Sequence, residues 1–563
     1  MASDHVPGVE VLTGIRLRNA IEEAKALPRR DCFGGLRRHL AHPAGKVVLL
    51  SGLRRTGKTV MAKQACAELP EAELERTALL NISQGRAVSS LPVYALVDEL
   101  YDDGYRCFIV DESTSMIDFP AWAKAMADGP AARGCRIVLL GRDSLSMWLA
   151  RREFLEGRCN EIRTTRIPFH EWRRLLGSGG QRLTVKDYVR CGGILDFDGL
   201  AADPALVSEA ACSFRDATSV DFYVYSAIAL NIQNALARHA SGTGFGILRP
   251  LWEEGRLAEA IARVVQDQNH ALAQQALRRR FAQSGFFEAY KAAGELDRKS
   301  KACVTARKEA VLQAIEDRLC LAEEGIAITR KESETILKYL RRINVFEDAD
   351  VLLMPSANPE KRRGLPLYEE KTRTLQTQPG IRSGQMQLAC GIVWNILHIN
   401  GSPIAKQDFL RASTSVVEGQ MLEDTVFADL KDILPEDCRL CRLEWDAEPG
   451  ESAEFDVAVI DKRDPSAPRT SLFEVKHADA MRDEATKHLK NRQAIAQVSE
   501  AFGKVVSRTV VYNGPTRRRA ALWVNADEFL GAAGSDQEGA LFPQLSPRWS
   551  PEVRLEPWMQ AMR

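Results

Sequence analysis

The chain has 563 residues, 45% of them hydrophobic and 27% charged, and this length predicts about three or four domains rather than one core. Lys and Arg together number 76, as do Asp and Glu, so no overall field attracts nucleic acid or an anionic membrane, and a nucleic-acid partner needs a local basic patch. No apolar stretch approaches the roughly 20 residues of a membrane span, the start lacks the pattern of a signal peptide, and the 12 cysteines lack regular spacing. We therefore expect a cytoplasmic protein without a membrane segment.

The first informative element is the apolar run Val47–Leu50, a predicted buried strand that leads into a glycine-rich turn and then a helix. The turn has the pattern G-x-x-x-x-G-K-T, formed by Gly52, Leu53, Arg54, Arg55, Thr56, Gly57, Lys58 and Thr59. This pattern can occur by chance in an ordinary glycine-containing turn. A strand before it and a helix after it are, however, the structural context that a phosphate-binding loop requires.

The chemistry of this loop predicts binding of a nucleoside triphosphate, ATP, with Mg²⁺. Its glycines let successive backbone N–H groups and the helix N-terminus surround a phosphate chain. Lys58 is expected to reach the β- and γ-phosphates, and the Thr59 hydroxyl to complete the Mg²⁺ shell.

Further apolar runs alternate with helical patterns as far as residue 166. Helices are expected at 59–67, 93–101 and 121–127, and strands at 78–80, 107–110 and 136–140. The apolar runs are continuous, as expected for strands buried on both faces. Residues 1–166 are therefore predicted to form an α/β domain with a parallel sheet.

Two of these predicted strands end in polar residues that suit a triphosphate site. The strand 107–110 leads into Asp111 and Glu112: the aspartate is expected to hold Mg²⁺ and the glutamate to polarise the attacking water, although surface strands also end in carboxylates. The strand 136–140 leads into Gly141 and a polar segment in which a sensor of the γ-phosphate is expected. The sequence leaves the choice of sensor, or a plain turn, open among Arg142, Asp143 and Ser144.

Residues 167–300 have a helical pattern and are predicted to form a helical lid. Residues 301–382 resemble a winged helix, with helices at 309–321 and 331–342 followed by a strand pair near 345–353. The second helix has four basic residues that suit DNA contact, but winged helices also serve as packing or dimerisation modules. These residues are Lys331, Lys338, Arg341 and Arg342.

Residues 383–530 change from helices to strands and predict a second α/β domain, followed by a loose tail at 531–563. Glu474 and Lys476 lie two apart on a predicted strand and so project to one face, and Asp456 on a neighbouring strand is expected to meet them. The two carboxylates are expected to bind one or two metal ions and Lys476 to orient a water for attack on a phosphodiester. Glu423, on a helix at 422–430, is a further candidate ligand. Three basic residues on the next helix face either a phosphate backbone or solvent: Lys487, Lys490 and Arg492.

The order of these motifs resembles that of prokaryotic AAA-type P-loop ATPases. The resemblance rests on the phosphate loop, on Asp111-Glu112, on Leu155-Glu156-Gly157-Arg158 and on the segment 167–172, and it covers about residues 15–200 and 330–480. It implies that Arg158 faces the phosphates or acts in trans, with Arg151 and Arg152 as competitors. The helix glutamate, the aspartate and the E-x-K pattern resemble the PD-(D/E)xK nuclease superfamily, which implies a restriction-endonuclease-like C-terminal domain.

The sequence therefore predicts a Mg²⁺-dependent ATPase whose hydrolysis controls a nuclease-like domain acting on nucleic acid, DNA rather than RNA. The predicted catalytic residues are Glu112, Arg158, Glu474 and Lys476. Two other classes stay open: an ATP-dependent switch whose nuclease-like domain only binds, and an adaptor that binds ATP without turnover. A homo-oligomer is expected if an arginine acts in trans.

Overall fold

A computed structural model gives the structure of the greater part of the chain. The described residues are 6–52, 56–82, 88–141, 144–164, 166–177, 183–193, 195, 228–229, 232–233, 236, 245–265, 267–268, 326–355, 366–376, 406–445, 454–481, 486–518 and 521–532. Within these residues no helix is long and apolar enough to cross a membrane.

The N-terminal region contains a six-stranded sheet with the order β1-β3-β5-β7-β2-β8. Five strands are parallel, and β1 at the edge is antiparallel to β3. The strands expected at 78–80, 107–110 and 136–140 are all present. The strands of this region, including the separate pair β4–β6, are β1 (Val9–Leu12), β2 (Val47–Ser51), β3 (Thr77–Ile82), β4 (Val88–Ser89), β5 (Cys107–Asp111), β6 (Met116–Ile117), β7 (Arg136–Gly141) and β8 (Cys159–Arg163).

Helices cover both faces of this sheet because alternate residues of the apolar strands point to opposite sides. Val47 and Leu49 pack with α5 and α6, whereas Val48 and Leu50 pack with α1, α2 and α3. The helices with described bounds are α1 (Gly14–Lys25), α2 (Phe33–Ala41), α3 (Lys58–Cys66), α4 (Glu71–Leu74), α5 (Ser90–Asp102), α6 (Phe119–Met126) and α7 (Ser144–Leu149).

The C-terminal region contains an eight-stranded mixed sheet with the order β10-β9-β11-β12-β13-β14-β16-β15. Strand β12 is antiparallel to both of its neighbours, β11 and β13, whereas β14 is parallel to both β13 and β16. Its strands are β9 (Phe346–Met354), β10 (Glu369–Gln376), β11 (Cys438–Trp445), β12 (Glu454–Asp461), β13 (Arg469–Lys476), β14 (Lys504–Tyr512), β15 (Arg517–Arg518) and β16 (Leu522–Asn525).

Helices also cover both faces of the second sheet. One face packs against α8, α9, α12 and α14, and the other against α13. The helices from α8 onward with described bounds are α8 (Phe169–Leu176), α9 (Val185–Cys191), α10 (Arg249–Glu253), α11 (Arg330–Arg342), α12 (Lys406–Ile433), α13 (Arg492–Phe502) and α14 (Ala526–Ala532).

The expected wing is part of this sheet, which corrects the boundary predicted at residue 382. The strand pair predicted near 345–353 is a single strand, β9, which pairs with β10 in antiparallel orientation and with β11 in parallel. Parallel pairing with a strand about 90 residues later cannot be read from local sequence, because it depends on the tertiary fold. The first expected helix, at 309–321, lies outside the described residues.

The start of the predicted lid belongs to the C-terminal core. Phe169 and Trp172 of α8 and Val189 of α9 are fully buried in one cluster with Leu422 and Phe427 of α12. Tyr188 joins the two helices by edge-on ring contacts with Phe169 and Trp172. The helical pattern predicted these helices, but it did not reveal which sheet they would cover.

Candidate functional site

The described part of the phosphate loop joins β2 to α3. Gly57 has φ of 83° and precedes the first residue of α3, a backbone conformation that glycine adopts without strain. Lys58 is 8% exposed, and its Nζ donates to the Gly52 carbonyl at 2.9 Å. Leu53, Arg54 and Arg55 lie outside the described residues.

Thr59 and Asp111 meet as a metal-binding pair requires. The Thr59 hydroxyl donates to Asp111 Oδ2 at 2.6 Å, and Asp111 is only 8% exposed. Strand β7 lies between β2 and β5, so the carboxyl ends of all three strands lie at the same edge of the sheet. The hydroxyl and carboxylate oxygens fit Mg²⁺, which prefers oxygen ligands.

Glu112 directly follows Asp111 at this edge. Its backbone N–H donates to Asp111 Oδ1 at 2.8 Å, and its φ of 53° is unusual for a residue other than glycine. Such backbone strain is common at functional sites. Its predicted role with the attacking water stays a prediction.

The expected sensor segment is only partly described. Arg142 and Asp143 lie outside the described residues, as does the side chain of Ser144, the first residue of α7. Gly141 is closely packed: a Cβ atom there would lie 2.5 Å from Thr114 Cγ2.

Arg158 lies at the end of the sheet where β2 begins, whereas the phosphate loop lies at the end where β2 finishes. The Arg158 carbonyl accepts from the N–H of Val47, the first residue of β2, whereas the loop follows the last residue of that strand. A five-residue strand is roughly 16 Å long, and the Arg158 side chain forms an ion pair with Asp128. Arg158 therefore does not face the phosphates of its own chain, and only its trans-acting role stays a prediction.

The two competing arginines also have local partners. Arg151 forms an ion pair with Glu161 at 2.5 Å, and Arg152 lies over the Trp148 ring at 5.3 Å. Neither contact identifies an arginine finger, so the choice among the three stays a prediction.

A buried arginine that sequence reasoning missed supports the phosphate loop. Arg30 is 5% exposed and lies beside Gly57, with its Cγ 3.6 Å from where a Cβ of that residue would be. Arg30 Nη1 donates to the Thr56 carbonyl, and Arg30 Nε donates to Glu171 Oε1 at 2.6 Å. Because 141 residues separate Arg30 from Glu171, no local motif predicts this contact.

Asp456, Glu474 and Lys476 come together on the second sheet, as expected. Lys476 Nζ lies 3.0 Å from Asp456 Oδ2 and 2.8 Å from Glu474 Oε2. The antiparallel register pairs Val457 with Phe473, so Asp456 and Glu474 face each other at the next position of the ladder. The Val475 N–H also donates to Asp456 Oδ2, at 2.7 Å.

Glu423 is held by another arginine that the sequence analysis missed. Arg442 is fully buried, and its guanidinium donates to Glu423 Oε2 at 3.2 Å and to Asp424 Oδ1 at 2.9 Å. Arg442 lies on β11, and the residues next to it in the sequence do not indicate this pairing. Glu423 therefore has a salt-bridge partner instead of completing a group with the other two carboxylates.

The ionisable groups of this acidic site titrate differently. Burial and then the charge of Asp456 raise the pKa of Glu423 to about 7. The same two causes raise the pKa of Glu474 well above its usual value. Burial opposes ionisation of Asp456, but Lys476 and the Val475 N–H lower its pKa; burial likewise opposes the charge of Lys476, but Asp456 and Glu474 raise its pKa.

The donor set fits a metal ion only partly. Within the described residues no group of three or more His, Cys, Asp or Glu side chains is arranged to hold one. Glu474 Oε1, however, is buried and has no hydrogen-bond partner in the described structure. Asp456 and Glu474 thus suit a site with two carboxylates, and Glu423 does not join it in this arrangement.

The candidate basic surfaces differ in the exposure and contacts of their side chains. On α11, Lys331 and Lys338 are exposed, but Arg341 bonds to Asp348 at 2.9 Å and Arg342 lies over the Trp148 ring at 4.7 Å. Half of the basic set expected for DNA contact therefore takes part in internal packing. Three residues near α13 are exposed: Lys487, Lys490 and Arg492.

Comparison of the sequence with known protein families supports an ATPase domain in the N-terminal region. The sequence model of the AAA domain family matches residues 44–172, which include the phosphate loop and Asp111, and supports an ATP-binding ATPase domain of the AAA type. A Walker-type ATPase of Pyrococcus abyssi matches with 13% sequence identity over 63% of this chain and 94% of that chain, with a TM-score of 0.27. No curated protein matches the chain.

Proposed function

We propose that the protein is a Mg²⁺-dependent ATPase in which nucleotide hydrolysis controls a phosphodiester-cleaving site on the second sheet. The observation that carries the ATPase part is the hydrogen bond of 2.6 Å between the Thr59 hydroxyl and Asp111. It joins the phosphate loop to the acidic end of β5, and such a pair is the expected metal-binding arrangement of a P-loop ATPase.

The residues of the chain have separate tasks in hydrolysis. The N–H groups at the start of α3 and the Lys58 ammonium bind the phosphates, and Thr59 and Asp111 hold the metal ion. Bound Mg²⁺ neutralises charge that develops on the phosphoryl oxygens. Glu112, next to Asp111, orients and polarises the attacking water.

The nuclease part of the proposal is supported by the cluster of Asp456, Glu474 and Lys476. Two buried carboxylates with one unpartnered oxygen offer ligands for a divalent ion. The Lys476 ammonium, 34% exposed, orients a water or stabilises charge on a phosphodiester. Nucleic acid, with DNA favoured, supplies such a substrate, and the exposed Lys487, Lys490 and Arg492 offer backbone contacts.

A second candidate function is an ATP-dependent switch that binds nucleic acid or a partner without cleaving it. It is favoured by the contacts of Arg442 with Glu423 and Asp424 and by the ion pairs of Lys476 with both site carboxylates. These cations already compensate much of the negative charge that would attract a metal ion.

Paired variants test the two activities separately. Lys58→Ala should abolish ATP hydrolysis, whereas Lys63→Ala, on the same helix, should retain it. Lys476→Ala should abolish cleavage of labelled DNA with Mg²⁺ or Mn²⁺, whereas Lys504→Ala should not, because Lys504 is exposed at the opposite end of the strand ladder. Intact DNA and RNA under every condition, with ATP hydrolysis retained, would favour the switch.

A further inference from the structure

Arg30 has a structural position that the proposed chemistry does not use. Its guanidinium donates to three carbonyls: that of Thr56 in the phosphate loop, that of Thr164 at 3.2 Å and that of Arg166 at 3.1 Å. Its aliphatic part packs beside Gly57. One buried side chain thus joins the loop to the segment that follows β8.

Glu171 fixes the orientation of this guanidinium. Its Oε1 accepts from Arg30 Nε at 2.6 Å and from the Asp31 N–H at 2.7 Å, and its Oε2 accepts from Arg30 Nη2 at 3.4 Å. Both partners are almost fully buried, with side chains 4% and 3% exposed. Hydrogen bonds between such charged groups are stronger and more directional than those between neutral groups.

The two residues belong to different packing units. Arg30 precedes α2, which covers the first sheet, whereas Glu171 lies on α8, whose Phe169 and Trp172 are buried in the core of the second sheet. The contact that supports the phosphate loop therefore depends on docking of the C-terminal unit.

We infer that Arg30 is a positioning residue for the phosphate loop and that Glu171 orients it from the C-terminal unit, so that ATP affinity depends on the docking of that unit. The inference rests on the proposed ATPase function. A fixed Thr56 carbonyl sets the direction of the peptide group that leads into Gly57, and the N–H groups that bind phosphate follow directly. Without this support we expect the peptide group between Thr56 and Gly57 to be oriented only when nucleotide binds, which would weaken binding.

The test uses the full chain and a charge-neutral double variant, Arg30→Gln with Glu171→Gln, because a single change would leave a buried charge without its partner. The Kd for ATP with Mg²⁺, kcat, KM and the Tm without nucleotide are measured. Arg174→Gln is the matched control: Arg174 lies on the same helix and its side chain, 44% exposed, binds Asp31 and the Arg29 carbonyl rather than the phosphate loop. Arg30→Lys is the second variant, because it keeps the charge but not the planar set of donors.

We expect the double variant to bind ATP about tenfold or more weakly and to raise KM more than it lowers kcat. Arg30→Lys should give a smaller loss of the same kind, and Arg174→Gln should behave like the wild type. If the double variant does not fold, Arg30→Lys decides the question.

Two results would overturn the inference. One is a folded variant at Arg30 whose ATP affinity and KM stay within about twofold of the wild type. The other is a loss of affinity in Arg174→Gln as large as that in Arg30→Lys. Lys58→Ala distinguishes this failure from failure of the ATPase function, because if the wild type itself binds no more ATP than Lys58→Ala does, the proposed function is wrong.

Discussion

Asp456 and Glu474 face each other across two strands but have opposite pKa shifts. Lys476 and the Val475 N–H hold Asp456 ionised, whereas burial and the nearby aspartate favour the protonated form of Glu474. The raised pKa of Glu474 opposes its ionisation, and a metal ligand has to be ionised, so we expect the affinity of this site for a divalent ion to rise with pH. The spacing of Glu474 and Lys476 predicted the cluster. The opposite pKa shifts of the two carboxylates depend on contacts between neighbouring strands, which the spacing does not reveal.

Glu423 gives a pH-dependent prediction at the scale of one residue. Its pKa rises from 4.5 to about 7 in the folded protein. Its favourable contribution to the free energy of unfolding is therefore fully present below about pH 4.5 and is lost as the pH rises toward 7. Gln cannot ionise. The free energy of unfolding of Glu423→Gln relative to the wild type should therefore increase between about pH 5 and pH 8, by at most about 3 kcal/mol.

Urea unfolding of both proteins at several pH values measures this difference. The control is Glu436→Gln, a change at a glutamate in the exposed turn after α12. A difference between Glu423→Gln and the wild type that stays constant or falls with pH would contradict the predicted protonation.

Loss of the Glu112 carboxylate should affect ATP hydrolysis but not ATP binding. Glu112→Gln should still bind ATP, because Lys58, Thr59 and Asp111 are unchanged, but lose about 10²–10⁴-fold in kcat, the usual contribution of a general base. Release of phosphate and binding of a fluorescent ATP analogue measure the two effects. Equal hydrolysis by the variant would exclude Glu112 as the residue that polarises water.

At the scale of elements, α12 joins the two sheets. Near its middle, Glu423 and Asp424 bind Arg442 of the second sheet. Toward its end, Asp429 binds Arg166 at 2.6 Å and accepts from the Phe169 N–H at 3.3 Å. Because Arg166 follows β8 and its carbonyl accepts from Arg30, contacts through α12 connect the phosphate loop with Arg442 of the second sheet.

The ion pair of Arg166 and Asp429 should be essential to this connection. Both side chains are buried, 8% and 1% exposed, so Arg166→Leu should destabilise the protein by about 3–5 kcal/mol by leaving a buried carboxylate unpaired. The double variant with Asp429→Leu should lose less than the single variant. A double-mutant cycle by urea unfolding measures the coupling.

Asp432→Ala is the control for this cycle. It removes the other carboxylate that binds Arg166, but that side chain is 50% exposed, so the cost should stay below about 1 kcal/mol. Additive effects of Arg166→Leu and Asp429→Leu would show that the pair does not stabilise the attachment of α12.

Elements with strong local patterns were predictable from the sequence, and their partners were not. The apolar runs gave β5 and β7, and the glycine-rich turn gave the start of α3, because these signals lie within a few residues. The parallel pairing of β9 with β11 and the packing of α8 in the C-terminal core depend on distant contacts. For the same reason Arg30, Glu171 and Arg442 gave no signal as functional residues.

At the scale of the whole molecule, the ATPase sheet and the second sheet share the segment between β8 and α9. Thr164 hydrogen-bonds to Thr56 of the phosphate loop at 2.7 Å, and five residues later α8 begins in the core of the second sheet. This segment therefore joins the phosphate loop to elements that pack on the second sheet. If nucleotide hydrolysis controls the proposed nuclease site, we expect the control to pass through this shared segment rather than through a separate lid.

Cleavage of labelled single- and double-stranded DNA with Mg²⁺ or Mn²⁺, with and without ATP and in parallel with phosphate release, measures whether ATP hydrolysis controls a nuclease site. The wild type should cleave DNA at a rate that changes with ATP. Lys476→Ala should lose cleavage and keep ATP hydrolysis, whereas Lys58→Ala should lose hydrolysis and the response to ATP. Cleavage that is equal in all three proteins, or that does not respond to ATP in the wild type, would contradict the account.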